Sequence, residues 1–115
     1  MDLHTHGDTL VLEGDFDVRS SGPVRTALYG LLRQEGSARV VVVDLGGVGC
    51  VDVAALRVLA VATRWGRTRG HRVVLRGCGP AVRRLLHLSR LIRCVEVDRS
   101  ALPVGSTVAT GLLSA

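Results

Sequence analysis

Few residues of this 115-residue chain could carry chemistry, and their spacing argues against most of it. Asp44 and Asp52 flank a glycine-rich stretch containing Gly46, Gly47 and Gly49. Paired carboxylates do general acid–base work when both reach one reacting group. Here Asp44 ends an apolar run and Asp52 opens a helical pattern, where a carboxylate accepts from the amides of the next turn. A strand-end Asp and a helix cap account for both. Gly47, Gly49 and Asp52 give GxGxxD, a dinucleotide fingerprint with a carboxylate at its third glycine. That carboxylate would repel a pyrophosphate at the helix end. Gly77 and Gly79, followed by Val82, fail the same pattern. Ser, His and Asp are all present, but no Gly-x-Ser-x-Gly elbow frames a nucleophile.

The remaining candidates have bland accounts. His4 and His6 share one side of a short strand pattern, with no further metal ligand suggested nearby. His71 opens a β-rich run and His87 sits on a helical polar face; both are expected in solvent. Cys50, Cys78 and Cys94 are odd in number and form no CxxC, so they read as small buried thiols. Neither a metal nor any other cofactor is implied, and no catalytic constellation is found.

The formal net charge is +5, and every basic residue other than histidine is arginine. Without lysine there is no P-loop lysine and no Schiff base. An all-arginine set is what a GC-rich genome would give; the functional account is attraction to an acidic partner or nucleic acid. Arg83, Arg84, Arg90 and Arg93 are the basis for nucleic acid. Against it, the chain has one Trp, one Tyr and one Phe to stack on bases, and no nucleic-acid motif.

The elements that position these residues follow from periodicity. Residues 3–6 and 9–13 alternate on either side of Gly7-Asp8, a hairpin. Ser20 and Pro23 start a helix with a capping hydroxyl and an early proline. Its buried stripe is Val24, Ala27, Leu28, Leu31 and Leu32, and residues 34–37 close it. The run 40–43 is continuously β-branched, which suits a strand covered on both faces. A tight turn is expected at the three glycines, then a helix from about 53 to 69 capped by Asp52 and stopped by Gly70. A strand over 71–76, a helix from Pro80 with Leu88 facing inward, and a strand over 94–98 complete the pattern. The order is ββαβαβαβ, an α/β fold with a mostly parallel sheet, an antiparallel N-terminal edge strand and helices packed against it. Residues 1–99 form one domain. Residues 100–115 are an apolar tail with a candidate short helix. No apolar run is long enough to span a bilayer and the N-terminus has no signal-sequence pattern, so the protein is expected in the cytoplasm, without membrane insertion.

Two local motifs sit on this order. The first is Leu12-Glu13-Gly14-Asp15-Phe16-Asp17. The second runs from Val42-Val43-Asp44-Leu45 through the glycines to Asp52, then Ala55-Leu56. Together with Arg69-Gly70-His71-Arg72-Val73-Val74-Leu75, they resemble the STAS domain of bacterial anti-sigma factor antagonists. The resemblance covers about residues 9 to 98. The first motif is similar to that family's Gly-Glu-Leu-Asp, and the second to its Asp-Leu-Ser followed by a loop to Asp-Ser-x-Gly-Leu.

The resemblance implies a module that binds a kinase-type anti-sigma factor or a related regulatory protein. In that family the kinase phosphorylates the Ser after the capping Asp. Here that position is Val53, followed by Ala54 and Ala55, and no Ser, Thr or Tyr lies between Ser37 and Thr63. The expectation is a docking surface of Asp17, Asp52, Val53, Ala54, Ala55 and Arg57 without phosphorylation control. The other reading is a structural or ligand-binding STAS module of a larger assembly.

Overall fold

The computed structural model describes residues 1–34 and 39–98. The expected closure of the first helix beyond residue 34 and the tail at 100–115 lie outside the described residues. The elements are β1 (Asp2–His6), β2 (Thr9–Phe16), α1 (Ser21–Leu32), β3 (Val40–Val51), α2 (Val53–Thr68), β4 (Arg72–Arg76), α3 (Pro80–Leu88), a 3₁₀ turn (Leu91–Cys94) and β5 (Glu96–Asp98). Five strands form one sheet in the order β1-β2-β3-β4-β5. β1 runs antiparallel to β2, and every other neighbouring pair is parallel. The ββαβαβαβ expectation holds, with the 3₁₀ turn added. Gly7, at φ +58°, makes the hairpin.

One core gathers Leu10 and Leu12 of β2, Val41, Val43 and Leu45 of β3, and Val73 and Leu75 of β4. Against them pack Val24, Leu28 and Leu32 of α1, Leu56 and Leu59 of α2, and Val82 and Leu86 of α3. The alternate residues of the strands point to the other side of the sheet. Val40 is 43% exposed and Val42 is half-buried, so β3 is not covered on both faces by the described residues. Its valine run reflects β-propensity and one buried face.

The glycines are not a turn. β3 runs straight through Gly46, Gly47 and Gly49 to Val51. Their role is close approach. A Cβ on Gly47 would stand 2.8 Å from Glu13 Cγ, where β2 and β3 shift register. Asp44 is accordingly mid-strand, with Oδ1 accepting from Gly46 N (2.9 Å) and Oδ2 from Arg76 Nη2 (3.3 Å).

Helix ends follow local chemistry. α2 closes in a Schellman motif: Gly70, at φ +81°, donates to Arg67 O, and His71 N donates to Gly66 O. Ser20 sits at the N-cap of α1, but its hydroxyl turns back into the preceding loop instead of capping. His71 is 5% exposed, and its Nδ1 accepts from Arg39 N at 3.2 Å, so the solvated placement is wrong for it. His87 is exposed as expected. Leu88 faces out at 70% exposure because α3 ends there, while Leu86 takes the core position. Cys78 is buried, Cys94 half-buried, and Cys50 is exposed near the end of β3.

Candidate functional site

The parallel pairing of β2 and β3 brings their C-terminal ends side by side, with Phe16 opposite Val51. Whatever follows each strand therefore shares one corner of the molecule. After β2 comes the loop 17–20; after β3 come Asp52 and the first turn of α2. The two motifs, far apart in sequence, meet there.

Asp52 holds the corner together. Its backbone N donates to Phe16 O (3.2 Å). Its Oδ1 accepts from Ala55 N (2.8 Å), which is the expected cap, and its Oδ2 accepts from Val18 N (3.2 Å). One carboxylate thus satisfies an orphan amide of α2 and an amide of the loop. Asp17 is occupied locally. Its Oδ1 accepts from Arg19 N (2.9 Å) and its Oδ2 pairs with Arg19 Nη2 (2.8 Å). That guanidinium holds the Asp17 carboxyl below the usual carboxylate range. Ser20 Oγ accepts from Asp17 N and lies against the Asp15 and Asp17 carbonyls.

The helix start presents its residues unequally. Val53 is half-buried, and Ala54 and Arg57 are exposed. Ala55 is fully buried, so its side chain packs in the core and only its N–H serves the corner. Beside Asp52 the loop exposes Val18, at 63%. Sequence reasoning does not single out Val18; its signal is an apolar residue directly after the Asp17 motif. Ser21, half-exposed, donates from Oγ to Val18 O (2.8 Å), which puts a hydroxyl at this corner from outside the stretch 38–62.

The corner carries hydrogen-bonded carboxylates and exposed apolar side chains. Asp44 lies eight residues back along a continuous strand, about 25 Å away, so the two carboxylates form no pair. Among the described residues no group of three His, Cys, Asp or Glu could hold a metal ion. Burial pushes the Cys78 thiol up, away from reactivity. Among the described residues, no helix is long and apolar enough to cross a membrane.

Between α1 and α2 a groove of about 270 Å³ begins at Ala54 and is lined by Arg25, Tyr29, Arg57, Val58 and Val61. A second hollow, about 390 Å³, lies between β3 and α3, lined by Cys50, Val51, Leu85 and Leu88 among others.

A family model described as "Mlab, STAS domain" matches residues 1–98. Among solved structures, an anti-sigma factor antagonist from Mycobacterium paratuberculosis is 26% identical, with a TM-score of 0.62 over 84% of this chain and 82% of that one. The anti-sigma factor antagonist SpoIIAA of Bacillus, in its unphosphorylated form, is 15% identical, with a TM-score of 0.61 over 84% and 86%. A sulfate transporter family protein from Wolinella succinogenes is 18% identical, with a TM-score of 0.62 over 82% and 73%. No curated protein matches the chain.

Proposed function

The chain belongs to the STAS domain family, and from that premise we propose that it is a non-enzymatic docking module of the anti-sigma factor antagonist type. Its partner is a kinase-type anti-sigma factor or a related regulatory protein of the cytoplasm. Residues 1–99 are the module, and residues 100–115 follow it. Docking uses Asp17, Asp52, Val53, Ala54 and Arg57, together with Val18.

The observation that carries this reading is the helix start at Asp52. Asp52 caps α2 as the family's Asp would, and the next residue, where the family carries its phosphoacceptor, is Val53. Phosphorylation adds about −1.5 to −2 charge and disrupts an apolar contact. Val53 takes no phosphate, and with Val18 and Ala54 it widens the dry part of the surface. The partner is therefore held without this switch.

Two measurements test the reading. Affinity capture from lysate should retain a regulatory ATPase on the wild-type chain and lose it with Val53→Asp. Retention of the same partner by both forms would remove the corner from the interface. Incubating the chain with that partner and ATP should leave it unlabelled. Phosphate at the corner, Ser21 included, would overturn the non-switchable reading. A second reading, a module of a larger assembly, is supported by the transporter-family neighbour of the same fold. It predicts capture of a scaffold or membrane complex.

A further inference from the structure

Charge in this molecule divides along its layers. The three helices carry Arg25, Arg57, Arg64, Arg67, Arg83 and Arg84 and not one carboxylate. Every described Asp and Glu lies in a strand or a loop. Arg19, Arg39, Arg72 and Arg76, which form ion pairs with Asp17, Asp8, Glu96 and Asp44, all lie outside the helices. Arg25 and Arg57 enter none of these pairs and present positive charge on the layer that the sheet backs.

Within that layer the α1/α2 groove has a defined chemistry. Ala54, Val58 and Val61 follow helical spacing along its α2 wall, and Val61 is 53% exposed. Arg25 and Tyr29, one turn apart, line the α1 wall, and Arg57 adds a second guanidinium. Two turns of α2 give the groove a length of about 10 Å. Further along the seam, Tyr29 meets Trp65 edge-on at 5.0 Å. Arg33 lies over the Tyr29 ring (6.0 Å) and Arg69 over the Trp65 ring (4.8 Å).

We propose that this groove receives an acidic amphipathic helix of the partner protein. Apolar side chains of that helix lie on Ala54, Val58 and Val61, and its carboxylates reach Arg25 and Arg57. The proposal rests on the docking reading above and names the chemistry of what docks. Charge complementarity selects the occupant. A second copy of this chain would bring helices bearing only arginine. A nucleic acid would need free ring faces to stack on, and here guanidinium groups already stand over Tyr29 and Trp65.

The test uses the full chain and a labelled synthetic peptide of about 18 residues, above the length at which isolated helices are marginal, with leucine on one stripe, glutamate flanking it and alanine elsewhere. Three controls accompany it: a glutamine-for-glutamate version, a scrambled sequence of equal charge, and a single-stranded oligonucleotide. Fluorescence anisotropy should show saturable binding of the striped acidic peptide. Binding should weaken about tenfold in Arg25→Gln/Arg57→Gln, and similarly in Val61→Asp, with thermal melts confirming the fold. Arg84→Gln, on α3 and outside the groove, should change it little. Equal binding by the scrambled peptide, tighter binding by the oligonucleotide, or indifference to the arginine pair would each overturn the proposal. Partner capture lost with Val53→Asp but kept with Arg25→Gln/Val61→Asp would overturn the groove and leave the corner. Capture indifferent to Val53→Asp but lost with Arg25→Gln/Val61→Asp would overturn the corner and leave the groove.

Discussion

The carboxylate of Asp52 accepts from Val18 N at 3.2 Å, across 34 positions of sequence, while its other oxygen accepts from Ala55 N at 2.8 Å. The helix cap and the tether of the neighbouring loop are the same side chain. A loss of this residue therefore acts on two elements at once.

Asp52→Ala removes both bonds and should cost about 1–2 kcal/mol in urea unfolding, the upper part of the range for a lost cap. Asp52→Ser keeps one oxygen for Ala55 N and should recover most of that stability. Amide exchange of Val18 should quicken in both variants, since neither reaches the loop. Unchanged Val18 protection in Asp52→Ser would show that the loop is held by other bonds.

Gly77 follows the C-terminal end of β4 and lies against β3. It sits at φ +71°, and a Cβ there would stand 2.9 Å from Gly46 N and 3.0 Å from Gly46 Cα. Backbone cannot move aside cheaply, and an L-residue is strained at this φ. Gly77→Ala should cost about 2–5 kcal/mol, the sum of overpacking and left-handed strain. Gly47→Ala meets mainly the flexible Glu13 side chain and should cost less, about 1–2 kcal/mol, partly restored by Glu13→Ala. Chemical denaturation of the three variants checks the order.

These glycines mark the boundary of what the sequence makes legible. Element order is local: the 3.6-residue stripe Val24, Leu28, Leu31, the Asp52 cap and the Gly70 stop are each visible within a turn or two. The role of Gly47 depends on Glu13 of another strand, so the three glycines read as a turn and fold as strand. His71 has the same problem, because the N–H that buries its imaidazole in a bond comes from Arg39, 32 positions away. In the corner, Asp52, Ala54 and Arg57 are legible from the motif. Burial of Ala55 and exposure of Val18 depend on how α2 and the loop sit against the core. The absence of carboxylates from the helices is plainly written in the sequence, but only the layered fold turns it into a face.

Arg39 N–H donates to His71 Nδ1 at 3.2 Å, and Arg72 N donates to Arg39 O at 3.0 Å, so the start of β4 is tied to the residue before β3 by both. His71→Phe fills the space but leaves the Arg39 amide without its acceptor. The expected loss is about 1–3 kcal/mol, the cost of an unsatisfied donor. His71→Asn offers a side-chain oxygen near the Nδ1 position and should lose less. Equal losses in urea unfolding would mean that packing, not the hydrogen bond, gives His71 its role.

The short edge strand β5 is tied to β4 by Arg72 and Glu96, whose Nη2 and Oε2 lie 2.6 Å apart. The Arg72 guanidinium beside Glu96 holds its carboxyl below the usual carboxylate range, with burial acting in the opposite sense. A carboxyl whose pKa is lower in the folded state favours folding above its unfolded pKa, about 4.3. That contribution disappears as pH falls through the folded value. Glu96→Gln should therefore be less stable than wild type near neutrality and should lose less on acidification, so the two curves converge in acid. Asp17 is also depressed by its neighbour Arg19, but a pair two residues apart can form in the unfolded chain as well and contributes less to the slope. Because the Arg72–Glu96 pair is partly exposed, about 1 M salt should shrink the difference between variant and wild type. Urea unfolding from about pH 3 to 7, at low and high salt, reads all of this. A Glu96→Gln curve parallel to wild type at every pH would mean that the pair adds nothing to folding.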